Sequence, residues 1–158
     1  MAFNFYSNRL TGRFYSTVRV GETRVKITGG CHCGKIKYEA EIDLDRVVIC
    51  HCTDCQSLSG SAFRTVAFSK KNAFSFITGE PKIYIKTGDS GNKREQAFCC
   101  DCGSPIYSTS VGDGPKEYGI RVGTVNQRNL IKPKEQKWFD SSQSWMAEIS
   151  SLPVTVKA

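Results

Sequence analysis

The sequence predicts a mainly β protein with only short helices, and three observations support this fold class. Residues 35–42 alternate between charged and apolar side chains, which is the period-two pattern of a half-buried strand. Glycine-containing turns at 79–81, 88–91 and 112–115 divide the chain into short segments. No long apolar repeat with the 3.6-residue helical period occurs, so long helices are not expected.

The remaining strands are predicted where β-branched and aromatic residues concentrate between these turns. These segments are 47–49, 62–68, 74–77, 82–86, 105–109 and 118–125. Short helices are predicted near 54–58 and 141–146. We therefore expect small antiparallel sheets joined by turns, with little helix.

The first 20 residues form a distinct N-terminal segment. They include Arg9, Arg13 and Arg19 but no acidic residue, which is the composition of a mitochondrial targeting segment. The alternative is a strand or extension that packs its aromatic side chains. If the segment directs import, mature protein from native cells begins near Ser16. The total of 158 residues otherwise suits a single domain.

Composition indicates a protein of a reducing compartment. No apolar run reaches the roughly 18 residues of a membrane-spanning helix, so we expect no membrane association. The eight cysteines are clustered, and no signal-peptide core precedes them. The expected location is cytoplasmic, with mitochondrial as the alternative. The formal net charge of +7 is spread along the chain and forms no dense basic run, so a nucleic-acid partner is not expected.

All eight cysteines fall in three short clusters at 31–33, 50–55 and 99–102. Thiolates two or three residues apart can converge on one tetrahedral zinc ion at Zn–S distances of about 2.3 Å. One division of the cysteines gives a closed four-ligand site and an open three-ligand site that keeps a position for water or substrate. The closed site comprises Cys31, Cys33, Cys99 and Cys102, and the open site comprises Cys50, Cys52 and Cys55.

Spacing alone leaves two other interpretations of the cysteines open. Cys52 and Cys55 could join Cys99 and Cys102 in a zinc ribbon, which would make the whole arrangement structural. Cys52 and Cys55 could instead form a thioredoxin-like redox pair, although the expected βαβ context is missing. Cys100 has no evident partner, and we expect it to be a small buried apolar residue.

The two histidines each stand between two cysteines. A side chain in that position tends to point away from a metal that both neighbours bind. We therefore expect His32 and His51 to be exposed or to hydrogen bond beside a site rather than to ligate.

At these cysteine blocks the sequence resembles the glutathione-dependent formaldehyde-activating enzyme (GFA) family, which includes centromere protein V. The resemblance runs from about residue 28 to 145. The segments that carry it are 30–34, 50–60, 98–104 and 123–125. Residues 136–139, Gln-Lys-Trp-Phe, depart from the histidine-aromatic pattern of many relatives.

The resemblance implies a β-tent fold with two zinc ions, in which the four-cysteine site is structural and the three-cysteine site is functional. It implies a domain at 28–158 preceded by an extension at 1–27. It also implies carbon–sulfur lyase chemistry, in which glutathione and formaldehyde give S-hydroxymethylglutathione. Cys50, Cys52 and Cys55 would then be the catalytic cysteines.

We interpret the protein as a zinc-dependent enzyme that handles a small thiol and an aldehyde, and the alternative is a non-catalytic zinc module that binds a macromolecule. Basic residues that could hold the thiol's carboxylates are Arg64, Lys93, Arg94 and Arg121. Asp54 and His51 are candidate hydrogen-bond partners beside the open site. We expect Trp138 and Trp145 to pack in the core rather than to line a pocket.

Overall fold

A computed structural model of the chain describes residues 23–88 and 90–157. Within these residues the protein is mainly antiparallel β-sheet with short helices, which confirms the predicted fold class. The strands are β1 (Arg24–Gly30), β2 (Lys37–Cys50), β3 (Arg64–Thr78), β4 (Lys82–Thr87), β5 (Lys93–Phe98), β6 (Pro105–Ser110), β7 (Gly119–Arg121) and β8 (Glu135–Lys137). The proposed targeting segment at 1–20 lies outside the described residues.

The strands are hydrogen-bonded in the order β1-β2-β3-β7-β6-β5-β4, and β8 adds to β2 in parallel. The segments predicted at 36–42 and 47–49 are one long strand, β2, because register shifts opposite β3 let the chain bend without breaking the ladder. The segments at 62–68 and 74–77 likewise join as β3. The predicted strand at 118–125 is shorter, since a 3₁₀ turn replaces it at Val122–Thr124.

The helices are short. α1 (Thr53–Ser59) follows β2 directly and ends at Gly60, whose φ of 62° is the left-handed conformation that glycine adopts at helix ends. Three further 3₁₀ turns cover Arg128–Leu130, Phe139–Ser141 and Ser144–Ser151, so the helix predicted near 141–146 is of this tighter type. Among the described residues, no helix is long and apolar enough to cross a membrane.

Aromatic packing fills the core on one side of the sheet. The ring of Phe74 lies 4.8–5.1 Å from those of Tyr38, Tyr107 and Tyr118, in stacked and edge-on arrangements. The Tyr38 hydroxyl lies 2.8 Å from Thr124 Oγ1, so this fully buried ring keeps its polar atom paired.

Candidate metal centres

Four cysteines from two hairpin loops converge at one point of the molecule. Their Sγ atoms all lie within 4.8 Å of one another, and neighbouring pairs are 3.4 and 3.7 Å apart. One loop joins β1 to β2 and the other joins β5 to β6, so the cluster links strands far apart in the sheet order. The four residues are Cys31, Cys33, Cys99 and Cys102.

Each loop in this cluster is a tight turn that a glycine closes. The Gly34 amide donates to the Cys31 carbonyl at 3.1 Å, and the Gly103 amide donates to the Cys99 carbonyl at 2.9 Å. Both glycines have positive φ, 80° and 71°, which a residue with a Cβ adopts only with strain. Each turn thus brings its two thiols to the same side of the loop.

Polar contacts tie the two loops together. The His32 amide donates to Ser104 Oγ at 3.0 Å, and Lys35 pairs with Asp101 at 2.8 Å. Ser104 also hydrogen bonds to Cys102, which lowers the pKa of that thiol to about 5. A thiolate is therefore favoured in the cluster, as a metal ligand requires.

The second cluster is built from a single stretch of chain. Cys50 ends β2, Cys52 is the N-cap of α1, and Cys55 lies in its first turn. Their Sγ atoms lie within 4.8 Å of one another, with 3.5 Å between Cys50 and Cys52. The Cys52 sulfur accepts the Cys55 amide at 3.4 Å, so the helix start holds two of the three thiols in place.

The three thiols of this cluster are half-buried, and the pKa values of two of them shift in opposite directions. A hydrogen bond from Cys55 lowers the pKa of Cys50 to about 5, and the same interaction raises the pKa of Cys55. One thiolate is therefore already favoured, and a cation at the centre of the trio would favour the other two.

His51 lies buried beside the trio and contributes no ligand atom to either cluster. Its Nε2 lies 2.8 Å from Gln136 Oε1, and its ring packs against Phe63 and Phe139 at centroid distances of 5.9 and 5.6 Å. His51 therefore has the predicted hydrogen-bonding position beside a site. His32 is exposed, which was the other predicted outcome. Gln136 belongs to β8, so the segment that departs from the family pattern lies against the cysteine trio.

A cleft of about 630 Å³ opens beside Cys52. Lys86, Lys93 and Arg94 line its basic side, and Trp138 lines another part of it. Lys86 pairs with Asp54 of α1, which leaves Lys93 and Arg94 without an acidic partner among the described residues. Trp138 is 61% exposed and Trp145 48%, so the expectation that these rings pack in the core is wrong.

The cross-strand register places Cys50, Arg64 and Arg121 on one face of the sheet. Cys50 lies directly opposite Arg64, and Val66, two residues further along β3, lies opposite Arg121. Directly opposite side chains, and those two residues apart, point to the same face of a sheet. Arg64 and Arg121 are both only 6% exposed, a burial that their residue type did not indicate.

Two further predictions about the cysteines are wrong. Cys99 and Cys102 lie with Cys31 and Cys33 and not with Cys52 and Cys55, so the ribbon alternative does not describe this structure. Cys100 is exposed rather than buried, because the turn that directs both of its cysteine neighbours inward points it outward.

Both clusters fit zinc in the chemistry and spacing of their donors. Tetrahedral Zn–S bonds of about 2.3 Å require sulfur atoms roughly 3.8 Å apart, close to the separations of 3.4–3.7 Å found here. Four thiolates would complete a tetrahedral site, and three would leave one position open. The residues present could therefore hold two metal ions, one in each cluster.

Comparison with known proteins gives a consistent result. A crystal structure of a Rhodobacter sphaeroides protein superposes with a TM-score of 0.52 at 22% identity, covering 70% of this chain and 99% of that one. That likeness concerns the fold alone. The family model described as glutathione-dependent formaldehyde-activating enzyme matches residues 26–141, which is most of the chain. The chain therefore belongs to the glutathione-dependent formaldehyde-activating enzyme family.

Proposed function

We propose that the protein is a zinc-dependent enzyme that binds a small thiol such as glutathione at the three-cysteine cluster and adds it to an aldehyde. The observation that carries this proposal is the pairing of an incomplete ligand set, Cys50, Cys52 and Cys55, with a basic cleft that begins at Cys52. The four-cysteine cluster, in contrast, needs no further ligand and would hold a structural zinc.

Zinc bound by the trio would supply a position at which a substrate thiol loses its proton and is held at neutral pH. The chain's own residues would bind and orient the rest of the thiol. Lys93 and Arg94 have no acidic partner among the described residues, and their charges suit the carboxylates of a peptide such as glutathione. The apolar ring of Trp138 can cover the peptide's backbone.

The reaction we infer is a balanced addition. The substrate sulfur forms a bond to the carbonyl carbon, the carbonyl double bond gives an electron pair to its oxygen, and the thiol proton ends on that oxygen. No oxidant or reductant is needed. Reversal of the same step is a carbon–sulfur lyase reaction, and with formaldehyde the product is S-hydroxymethylglutathione.

The test compares wild type, Cys52→Ser and Cys100→Ser. Elemental analysis should find two zinc ions per chain in the wild type and in Cys100→Ser, and one in Cys52→Ser. Calorimetric titration with glutathione should show binding to the first two proteins only. Cys100→Ser is the matched control because its thiol is exposed and belongs to neither cluster.

Turnover is tested separately, by following hemithioacetal formation from glutathione and ¹³C-formaldehyde by NMR. The wild type should accelerate the reaction and Cys52→Ser should not. Two results would instead favour the non-catalytic zinc module. One is a wild-type protein that does not bind glutathione, and the other is a Cys52→Ser variant with the same zinc content as the wild type.

A further inference from the structure

Two arginines of the central strands, Arg64 and Arg121, are buried without an acidic partner among the described residues. Arg64 and Arg121 are each 6% exposed, and among the described residues no carboxylate lies within 4 Å of either. Arg121 donates one hydrogen bond, from Nη2 to Gln96 Oε1 at 2.8 Å. In the part of the chain that the structure describes, the Nε atom of each arginine has no hydrogen-bond partner.

The negative charge of the cysteine trio offsets part of the cost of this burial, because it acts to raise the pKa of both arginines, but it leaves their Nε atoms without hydrogen-bond partners among the described residues. Buried arginine is ordinarily paired, because removing an unpaired charge from water is costly. Burial, together with the charge of Arg64, lowers the pKa of Arg121 to about 9. The two like charges also repel each other, so an anion between them would relieve both penalties.

A cavity of about 490 Å³ is available at these two arginines. This volume lies within the usual range of small-molecule sites, about 300–1,000 Å³. Leu58, Ile83 and Tyr84 contribute exposed apolar surface to its walls. The cavity therefore suits a ligand with a small apolar body and an anionic end.

The cavity adjoins the cysteine trio but is separate from the basic cleft. Arg64 lies directly opposite Cys50 in the β2–β3 ladder, where paired Cα atoms are about 4.5–5.5 Å apart. The α1 helix contributes to both spaces, with Asp54 lining the cleft and Leu58 lining the cavity. Residues four apart lie on one face of an α-helix, so an anion at the arginines would lie about one turn along α1 from a group bound by Lys93.

We propose that Arg64 and Arg121 form a carboxylate-binding subsite for one of the two reactants. Planar guanidinium groups match a carboxylate bidentately, and Gln96 fixes the orientation of Arg121. Formaldehyde is neutral and carries no group that would pair with them. The carboxylate therefore belongs either to a larger carbonyl substrate, such as an oxo acid, or to one end of the thiol. The assignment to a reactant rests on the proposed function, whereas the anion site itself does not.

The experiment titrates two matched ligands, phenylglyoxylate and its neutral amide, and also glutathione, into wild type, Arg121→Met and Arg24→Gln. Wild type should bind phenylglyoxylate and not the amide. Arg121→Met should weaken carboxylate binding by about tenfold or more, because a charge-assisted bidentate pair is lost. Arg24→Gln is the control, since Arg24 is exposed and lies on β1, far from the cavity in the strand order.

The melting temperature separates a binding role from a structural one. Arg121→Met should melt at the same or a higher temperature, because it removes a buried charge that no carboxylate of the described residues neutralises. Weaker phenylglyoxylate binding would identify the carbonyl reactant as the carboxylate's source, and weaker glutathione binding alone would identify the thiol. A lower melting temperature with both affinities unchanged would overturn the subsite.

Cys52→Ser distinguishes failure of this inference from failure of the proposed function. It should lose glutathione binding through the thiol and keep phenylglyoxylate binding if that ligand supplies the carboxylate. If the wild type turns over glutathione and formaldehyde, and Arg121→Met changes the affinity for neither phenylglyoxylate nor glutathione, the subsite alone is refuted.

Discussion

The two cysteine clusters differ chiefly in how far apart in the chain their members are. The four-cysteine cluster joins loops at 31–36 and 99–104, and so ties one hairpin to another across the sheet. The three-cysteine cluster lies within residues 50–55 and is already ordered by the start of α1. A link that closes a long loop stabilises a fold more than one between near neighbours, because it removes more freedom from the unfolded chain.

We propose that this difference separates the two clusters by function. A metal in the four-cysteine cluster would act on the whole fold, whereas a metal in the trio would contribute little that β2 and α1 do not already provide. The trio is thus free to give a coordination position to a ligand without loss of fold stability. The predictions below test this separation, beginning with the largest expected effect.

The largest effect is expected when each cluster loses one thiol. Cys99→Ser should lower the free energy of unfolding by about 5 kcal/mol or more, because structural zinc sites contribute strongly to folding. That loss is comparable to the whole stability of a small domain, about 5–15 kcal/mol, so the variant should be largely unfolded. Cys52→Ser should remain folded. Circular dichroism melting curves of the two variants would measure the difference.

Equal melting temperatures for these two variants would contradict the separation. Cys100→Ser serves again as the control, because serine at an exposed position outside both clusters should change neither melting temperature nor zinc content.

The second prediction concerns removal of metal. A chelator should withdraw one zinc ion per chain quickly and the second slowly. Three thiolates leave a coordination position open to attack beside a cleft, whereas four thiolates complete the other site, even though Cys33 of that site is exposed. A chromogenic chelator reports the two phases, and far-ultraviolet circular dichroism followed in parallel should change only with the slow phase. If loss of the first zinc ion already unfolded the protein, the trio would have a structural role, contrary to this prediction.

The third prediction tests the support beneath the trio. Gln136→Leu should lower the free energy of unfolding by about 1–3 kcal/mol, because it leaves Nε2 of the buried His51 without a partner. Gln136→Glu keeps an acceptor oxygen at the same place and should recover most of the loss. Urea denaturation measures both. Zinc in the four-cysteine cluster should be unaffected, because Gln136 lies against the other cluster.

The strands that sequence predicted are those whose side chains carry a clear pattern. Residues 35–42 alternate strictly, and β2 follows with buried and exposed positions in turn. β5 was not predicted, because Lys93–Phe98 begins with four polar residues and carries no apolar alternation. Its strand conformation comes from pairing with β4 and β6 on either side, which a local pattern does not contain.

The candidate site was likewise predictable from the sequence only in part. Cysteine spacing, together with the family resemblance, gave the groups that the structure brings together. The burial of Arg64 and Arg121 could not be predicted, since an isolated arginine in a strand is ordinarily solvated. Only the register, which sets Arg64 against Cys50 and Arg121 against Val66, reveals that both arginines share a face of the sheet with Cys50. The position of these two arginines thus follows from long-range strand pairing, which residue type does not reveal.

The smallest effect is expected at the ion pair across the cleft. Asp54 of α1 pairs with Lys86 of β4, and its side chain is 48% exposed, so Asp54→Asn should change the free energy of unfolding by less than about 1 kcal/mol. The substitution frees Lys86 and removes a negative charge beside Cys52, so glutathione should bind about twofold to fivefold more tightly at low salt. Calorimetry at two salt concentrations measures the change. The gain should shrink at high salt, whereas zinc in the four-cysteine cluster stays constant. Weaker binding would mean that Asp54 itself contacts the thiol substrate, which would place the ligand over α1 rather than along β4 and β5.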